Sequence, residues 1–288
     1  MNRYLRSNRA LWDLWARHHV ASSMYDVEGF KAGRRPGREA LDALEVRLVG
    51  DVTGKSLLHL QCHFGLDTLA WARRGAAVTG VDFSGEAIAT ARALSEELQI
   101  PATFIETDVY ELPEHLDGEF DIVFASNGVL CWLPDLNGWA RVAARFLRPG
   151  GLFCLIEGHP FPSVFDDRAP ERDLRIAFPY FHTDEPVRGE RRGSYAVPDG
   201  QFESVTYEWA HSLADVLGAI LRAGLRITSF EEYPYVGWPM FPWMEGGPDG
   251  TWRWPGDTPT LPLLYSLTAS KPAVITMLPA VDPPADSK

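Results

Sequence analysis

Short, wholly apolar runs alternate with amphipathic stretches through the middle of the chain. Apolar runs without polar alternation are typical of strands buried on both faces, as in a parallel sheet that helices cover. The intervening stretches repeat apolar residues at helical spacing, as Ile88, Ala91 and Leu94 do. The predicted strands are 56–60, 77–81, 102–106, 120–125, 152–156, 225–231 and 261–270. The predicted helices include one from the Gly65 loop to about Arg74 and the ranges 85–98, 136–147 and 211–223.

The ends of the chain and one internal segment depart from this alternation. Residues 8–24 and 38–49 predict two amphipathic helices, so we expect 1–54 to form a helical N-terminal region. The main domain is then 55–275, and 276–288 is expected to be a disordered tail. Inside the domain, 160–206 is rich in Pro, Gly and charge and predicts an insertion after the fifth strand, while 233–254 is an aromatic segment. The predicted fold is α/β and doubly wound: a Rossmann-like, mostly parallel, seven-stranded sheet.

Composition narrows the class of protein. A net charge of −12 disfavours binding to nucleic acid, which usually requires a basic face. The three cysteines form no CxxC pair and show no zinc spacing, so we expect reduced thiols and no metal site. The sequence has neither an apolar run of about 18 residues nor a secretory leader. We therefore expect a cytoplasmic protein that binds neither nucleic acid nor membrane.

Candidate chemistry lies where the predicted strands end, because doubly wound sheets bind ligands there. The loop Gln61–Thr68 turns directly into a helix, whose N-terminus can receive a carboxylate. Asp82 follows the second strand and can accept from both hydroxyls of a ribose. Asp108 follows the third strand, where it can accept from an adenine amine, and Ser126-Asn127 follows the fourth. Aspartates at strand ends are also common turn formers and helix caps, and both interpretations stand.

Taken in order, these residues resemble the class I S-adenosylmethionine-dependent methyltransferases. The resemblance covers about 55–160, 207–232 and 261–271. Four phrases resemble one bacterial branch in particular: LLHLQCHFGLDTLAWARRGAAVTGVDFSGEAIATAR, FDIVFASNGVLCWLPDL, LRPGGLFCLIEGHP and YEWAHSLADVLGAILRAGL. Most of the family has an acidic residue and then Gly-x-Gly-x-Gly in the first loop. Here His59 stands at the acidic position, Gln61 and His63 replace two glycines, and Gly65 remains.

The resemblance implies S-adenosylmethionine as cofactor and methyl transfer to O, N, S or C of a small-molecule acceptor, with release of S-adenosylhomocysteine. It also implies that the N-terminal helical region, 1–54, is a lid region whose Tyr25 lies over the methionine part of the cofactor. The implied partner is the acceptor, and the chain is expected to be a monomer or homodimer. The cofactor-binding residues that it implies are Tyr25, Gln61, Cys62, Gly65, Asp67, Asp82, Phe83, Ser84, Asp108, Val109, Ser126 and Asn127.

The predicted catalytic residues are His159, Glu157 and Tyr25. Methyl transfer requires a base only if the acceptor must lose a proton, and His159 can serve near neutral pH. Glu157 can orient His159 or bind a cationic acceptor. A structural turn around His159 explains the same residues equally well. The aromatic run 233–254 either walls the acceptor pocket or packs as a hairpin on the sheet.

Other interpretations stay open. His59, Cys62, Cys154 and the Trp12–Trp15 pair fit core packing better than chemistry. The unusual first loop leaves room for a different use of the cofactor, namely cyclisation or elimination that gives methylthioadenosine. A degenerate fold that serves as a binding partner is a third interpretation. An NAD-dependent oxidoreductase is disfavoured, because the first loop lacks the motif Gly-x-Gly-x-x-Gly.

Overall fold

The computed structural model describes residues 1–33, 41–169, 172, 174–256 and 260–273. Their strands, in chain order, are β1 (Ser56–Leu60), β2 (Ala77–Asp82), β3 (Thr103–Glu106), β4 (Phe120–Ser126), β5 (Leu147–Gly158), β6 (Val187–Arg192), β7 (Glu203–Glu208), β8 (Arg226–Tyr233), β9 (Tyr235–Val236), β10 (Glu245–Gly246), β11 (Trp252–Arg253) and β12 (Leu264–Ser270). Their α-helices are α1 (Arg3–His19), α2 (Val27–Lys31), α3 (Ala43–Val49), α4 (Leu66–Arg73), α5 (Gly85–Leu98), α6 (Leu136–Phe146) and α7 (Leu213–Arg222). Three short 3₁₀ turns span Val109–Glu114, Leu130–Trp132 and Pro162–Val164.

Seven strands form the central sheet in the order β3-β2-β1-β4-β5-β12-β8. β1 to β5 are parallel, and β12 runs antiparallel to both β5 and β8. The chain therefore winds outward from β1 to β3 and returns to the other side of β1 with β4. This confirms the predicted doubly wound, mostly parallel sheet. The reversal between β1 and β4 opens a crevice at the carboxyl ends of the strands, where ligands bind in this fold class.

Two apolar layers cover the sheet. Along β4, Ile122 and Phe124 pack in the layer that includes α4 and α5, while Val123 and Ala125 face the layer of α6 and α7. Strand residues alternate between the two faces, so a run that is apolar at every position is buried on both. Full burial of both sets is why these strands read as continuous apolar runs in the sequence.

Several elements differ from the sequence prediction. The first helix begins earlier than predicted, because Asn2 caps it by accepting from the Leu5 N–H at 2.9 Å, and it ends at His19. The turn predicted at 148–151 lies inside β5 as an irregularity, since the register with β4 shifts there. The segment 160–206 contains the β6 strand and the start of β7, a two-stranded hairpin that the sequence did not indicate.

The remaining predictions concern the ends of the chain. Gly224 adopts a φ of +82° directly after α7, as expected of a glycine that ends a helix. The expected disordered tail, 276–288, lies outside the described residues. None of the helices described here combines the length and apolar character needed to cross a membrane.

Candidate cofactor and acceptor site

A cavity of about 530 Å³ opens at the carboxyl ends of β1 to β5. Two of the predicted site residues, Ser84 and His159, are not among its lining residues. The structure brings the others together along its wall: Tyr25, Gln61, Cys62, Gly65, Asp67, Asp82, Phe83, Asp108, Val109, Ser126, Asn127 and Glu157. The strand-end argument therefore gathers these side chains around one space.

The first loop keeps a backbone conformation that usually requires glycine. Gln61, His63 and Gly65 have φ values of +55°, +51° and +76°, all in the left-handed region. These are the three positions at which the resembled family carries glycines. A side chain in this region costs roughly 1–2 kcal/mol. The loop therefore has the left-handed backbone that favours glycine at all three positions, although only one of them is a glycine.

Contacts of the side chains explain how Gln61 is accommodated and why Gly65 is kept. Gln61 accepts from Trp139 Nε1 at 2.9 Å and donates to the Val129 carbonyl at 3.1 Å, which ties the loop to α6 and to the end of β4. A Cβ at Gly65 would lie 2.6 Å from the ring of Phe104. Only the last of the three positions is closed to a side chain by a close neighbour.

His59 and Cys62 are part of the core. His59 is buried in β1 and forms a 2.9 Å hydrogen bond with Thr68 Oγ1, and burial lowers its pKa to about 3. It is therefore neutral and cannot replace the acidic residue that most of the family has here. Burial also raises the pKa of the Cys62 thiol well above its usual value, so the thiol stays protonated and unreactive.

Asp82 joins the first two strand ends. Its Oδ2 accepts from the His63 N–H at 2.8 Å, and its Oδ1 accepts from the Ser84 N–H at 2.9 Å. The backbone N–H of Phe83 also contributes, so of the roughly four acceptor sites of this carboxylate about one is left for a ligand. Burial raises the pKa of Asp82 to about 6, with nearby Asp13 adding to the effect.

Ser84 acts outside the cavity. Its hydroxyl caps α5 by accepting from the Ala87 N–H at 3.1 Å and donates to Asp13 of α1 at 2.7 Å. Its place in the structure is thus that of a cap, which also attaches α1 to the helix that follows Asp82.

Asp108 combines the two interpretations that the sequence left open. Its Oδ1 accepts from the Tyr110 N–H at 3.2 Å and caps the 3₁₀ turn Val109–Glu114. It also lines the cavity, and burial raises its pKa. One cap bond leaves most of the acceptor capacity of this carboxylate for a ligand.

Glu157 holds the loop that follows β4. Its Oε1 accepts from the N–H groups of Gly128 and Gly158, both at 2.7 Å, and its Oε2 accepts from Val129 at 2.8 Å and Leu130 at 3.0 Å. All four acceptor sites are engaged by backbone. Asn127, with a φ of +57°, lies at the start of this loop. Glu157 therefore shapes the cavity wall, although the sequence placed it among the catalytic residues.

His159 lies away from the cavity. Its Nε2 bonds Glu232 of β8 at 2.7 Å, and its Nδ1 accepts from the Phe161 N–H at 3.1 Å. Both ring nitrogens are engaged, and the pairing expected between Glu157 and His159 is not formed. That expectation was wrong because the end of β5 turns His159 toward β8. The geometry matches the structural turn that the sequence allowed equally.

Aromatic side chains from the N-terminal region close the cavity over the first loop. The Tyr25 ring lies 4.8 Å from that of Phe64, and its hydroxyl hydrogen-bonds the hydroxyl of Tyr195. Trp15 is buried and donates to Ser204 Oγ of β7 at 2.8 Å, so it serves packing as expected. Tyr25 thus lines the cavity beside the first loop, and its contact with the methionine part of the cofactor stays a prediction.

Two histidines connect α1 to the first loop. His19 Nδ1 lies 3.1 Å from His63 Nε2, and His19 Nε2 lies 2.9 Å from Ser194 Oγ. Burial lowers the pKa of His19 to about 3 and that of His63 well below its usual value, so both rings are neutral. The pair is a polar link between the loop and the region that covers it.

The aromatic run 233–254 divides in two. Trp238 and Phe241 line the cavity, whereas Trp243 and Trp254 pack against Phe241 and each other with ring centroids 5.1 to 5.6 Å apart. Most of the run therefore packs on the sheet, and a small part of it lines the cavity.

Sequence reasoning missed several polar residues of the cavity. Glu45 of α3 is buried, and its Oε1 lies 3.5 Å from Asn127 Nδ2. Glu208 of β7 and Arg191 of β6 line the cavity from the hairpin. The alternation of Ser204, Thr206 and Glu208 was the available signal, because these three residues share one face of β7. Among the described residues, no group of three or more His, Cys, Asp or Glu could hold a metal ion.

The chain is similar in sequence to known methyltransferases. The family model described as a methyltransferase domain matches residues 58–155. The ubiquinone biosynthesis O-methyltransferase of Proteus mirabilis (strain HI4320) is 34% identical over 133 residues, covering 46% of this chain and 54% of that protein. The corresponding enzyme of Erwinia tasmaniensis is 31% identical over the same length and covers the same shares. The chain thus spans about half the length of the curated relatives it matches.

Solved structures show the fold. The S-adenosylmethionine-dependent methyltransferase of Mesorhizobium loti superposes with a TM-score of 0.52 at 21% identity, covering 78% of this chain and 94% of that one. A Clostridium acetobutylicum S-adenosylmethionine-dependent methyltransferase gives 0.53 at 14% identity, covering 93% and 99%. The structure of a DhpI–SAH complex gives 0.53 at 18% identity, covering 93% and 97%. Residues 58–155 thus match the methyltransferase domain model, and the sheet order agrees with the doubly wound fold of these solved structures, which supports S-adenosylmethionine as the cofactor.

Proposed function

We propose that this protein is an S-adenosylmethionine-dependent methyltransferase that acts on a small-molecule acceptor inside the cavity. The observation that carries the proposal is the first loop, whose left-handed residues 61, 63 and 65 recreate the glycine-rich shape. This loop is hydrogen-bonded to Asp82 at the next strand end, and Asp108 follows at the third. The left-handed first loop and the carboxylates of Asp82 and Asp108 thus lie around one cavity.

The residues present fit this cofactor. Asp82 keeps acceptor capacity for a ribose hydroxyl, and Asp108 keeps acceptor capacity for the adenine amine. The carboxylate of Asp67, in the first turn of α4, lines the cavity and suits the cofactor ammonium, a role that neutral His59 cannot take. Tyr25 covers the same side through its contact with Phe64.

Bound S-adenosylmethionine supplies a methyl group on a positively charged sulfur, already activated for transfer. The chain then has to orient the acceptor and exclude water, and positioning alone can supply roughly 7–11 kcal/mol of the barrier. Glu157 holds the loop after β4 in place with four hydrogen bonds. The aromatic side chains that line the cavity, Tyr25 and Trp238 among them, keep bulk water away.

Isothermal titration calorimetry tests the proposal directly. The purified protein is expected to bind S-adenosylmethionine and S-adenosylhomocysteine. Asp82→Ala should weaken both by about tenfold or more, because hydrogen bonds to a charged group contribute roughly 1.5–3 kcal/mol each. Asp117→Ala, at an exposed loop residue, is the control and should bind like the wild type. Undiminished binding in a folded Asp82→Ala variant would refute the site.

Product analysis separates methyl transfer from cyclisation or elimination. After incubation with S-adenosylmethionine and a panel of small-molecule acceptors, release of S-adenosylhomocysteine supports methyl transfer. Release of methylthioadenosine supports the other chemistry. That alternative drew on the unusual first loop, and the loop conformation now offers it no specific support.

A further inference from the structure

We propose that the acceptor is a cationic amine and that Glu208 is the catalytic carboxylate that binds it and takes up its proton. The assignment rests on the proposed function and adds to it an acceptor class and a residue from the hairpin. Its basis is the position of Glu208, the charge balance of the cavity and the rings beside it.

Glu208 stands at the junction between the hairpin and the end of β4. Thr206 and Glu208 of β7 both line the cavity. The N–H of Trp209 donates to the carbonyl of Cys131 at 2.8 Å, so the end of β7 lies against the turn Leu130–Trp132. That turn follows the end of β4, where the proposed function would place the reacting part of the cofactor. Glu208 therefore borders the place where an acceptor has to enter.

The charge of the cavity favours a cation. Among the described lining residues Arg191 is the single Lys or Arg, and its Nη2 lies 3.6 Å from Oδ2 of Asp167, while burial lowers the pKa of the lining histidines His59, His63 and His211. The acidic lining residues are Glu45, Asp67, Asp82, Asp108, Glu157, Asp167 and Glu208. Because Arg191 is shared with Asp167, it does not fully compensate Glu208. Glu208 is half-buried, and a partly desolvated carboxylate with incomplete compensation is costly, so a cationic ligand lowers that cost.

Aromatic rings complete the environment of a cation. Trp132, Tyr180, Trp209 and Trp238 line the cavity from four different segments. Ring faces attract ammonium groups, and the attraction grows when the group is desolvated. Asp67, Asp82 and Asp108 are assigned to the cofactor, and Glu157 is engaged by backbone N–H groups. An anionic acceptor would still meet Glu45, Asp167 and Glu208 against one guanidinium, so its binding would be opposed. The same surroundings suit an organic ammonium.

The surroundings of Glu208 also suit proton uptake. Burial raises the pKa of Glu208, while Arg191 and a hydrogen bond from Thr206 act in the opposite direction. An N–H proton of the acceptor ammonium passes to the Glu208 carboxylate, which leaves a neutral amine. The nitrogen lone pair then forms a bond to the methyl carbon as the carbon–sulfur bond breaks, and that electron pair stays on sulfur. Glu208 returns its proton to solvent when the products leave.

A matched pair of probes tests the acceptor class. Benzylamine and benzyl alcohol have the same ring and nearly the same size, and at pH 7.5, about two units below a typical amine pKa, only the amine is charged. In calorimetry on protein saturated with S-adenosylhomocysteine, benzylamine should bind about tenfold or more tightly than the alcohol. Equal binding, a preference for the alcohol, or no binding of either probe at 10 mM, roughly the weak end of specific recognition, would overturn the amine assignment.

Variants of β7 test the residue. Glu208→Gln should abolish the preference for benzylamine and lower kcat for its methylation by about 100-fold. Its affinity for S-adenosylhomocysteine should stay within about twofold, since none of the proposed cofactor residues is on the hairpin. Glu208→Asp, which keeps the charge, should keep the preference. Glu203→Gln, at an exposed position of the same strand, is the control and should behave like the wild type.

Two results separate this inference from the proposed function. If Glu208→Gln binds S-adenosylhomocysteine and retains wild-type preference and kcat, the role of Glu208 is refuted while the methyltransferase proposal stands. If the wild-type protein binds no adenosyl ligand, the proposed function itself fails, and the amine assignment fails with it.

Discussion

The cavity has two sides that are built differently. The floor consists of the loops after β1 to β4 together with Glu157, and its carboxylates accept hydrogen bonds from backbone N–H groups. The cover consists of α1, Tyr25 and the β6–β7 hairpin, and side chains attach it. Asn8 and Trp15 join α1 to the hairpin through Tyr207 and Ser204. His19 contacts His63 of the first loop, and Asp13 accepts from Ser84, so these two side chains join the cover to the floor. Backbone positions are set by the fold, whereas single side chains can be exchanged.

The difference in attachment indicates that the floor is suited to the cofactor and the cover to the acceptor. A floor in which Glu157 alone engages four N–H groups has little freedom to move, and it suits the constant part of a reaction, the cofactor. A cover attached by a few side-chain bonds can change its lining without disturbing the sheet. Its residues, Glu208 among them, are suited to set the acceptor. Substitutions on the floor should therefore damage stability and cofactor binding more than those on the cover.

The largest effect is expected at Glu157. In Glu157→Gln the amide nitrogen replaces one carboxylate oxygen and leaves two buried N–H groups without an acceptor. Unsatisfied buried donors cost roughly 1–3 kcal/mol each, so the free energy of unfolding should fall by about 4 kcal/mol. Urea unfolding measures this change. Glu119→Gln, which affects only an exposed ion pair with Lys271, should change it by less than about 0.5 kcal/mol.

Gly65→Ala should follow, with a loss of about 3 kcal/mol. The substitution combines a left-handed φ with a Cβ only 2.6 Å from the ring of Phe104. Gly54→Ala separates the two causes, because Gly54 has a φ of +72° and nothing within 4 Å of an added Cβ. It should cost about 1 kcal/mol. Equal losses in the two variants would show that the contact with Phe104 is unimportant.

On the cover, Asn8→Ala should cost about 2 kcal/mol. Asn8 is buried, donates to the Tyr207 carbonyl at 2.7 Å and accepts from its N–H at 3.0 Å. Amide hydrogen exchange should speed up in α1 more than in β1 or β4. Asn137→Ala, an exposed residue on α6, is the matched control. Equal acceleration of hydrogen exchange in α1, β1 and β4 would mean that the floor and the cover open as one unit, which would contradict the difference between them.

The smallest effect is a pH dependence of cofactor affinity. Because burial raises the pKa of Asp82 to about 6, its carboxyl is mostly protonated at pH 5 and mostly ionised at pH 7. Donor hydroxyls bind the ionised form better, so affinity for S-adenosylhomocysteine should rise about tenfold from pH 5 to pH 7. His63, which faces Asp82 from the first loop, stays neutral throughout this range. Calorimetry on Asp82→Asn should give a flat profile, and a matching slope in the variant would contradict the assignment.

Part of this molecule could be predicted from its sequence. β1 and α5 match their predicted bounds, because a continuous apolar run and a helical apolar stripe each depend on nearby residues alone. The positions of Asp82 and Asp108 followed from the same rule, since the ends of parallel strands share one edge of the sheet.

The rest depends on contacts between distant residues. The β6–β7 hairpin has Arg191 and Glu208 on a face that meets the cavity, so its alternation produces no apolar pattern. The direction of His159 depends on β8, which comes about 70 residues later and provides Glu232 as its partner. The left-handed conformation of Gln61 and His63 could not be read from residue types that seldom adopt it.

Gln61 and His63 determine at which stage the first loop loses its conformational entropy. A loop of glycines samples many conformations, and a ligand has to select one of them at the expense of its own affinity. Here Gln61 is held by Trp139 and Val129, and His63 by His19. The conformational entropy is therefore lost during folding, and the loop meets its ligand already shaped.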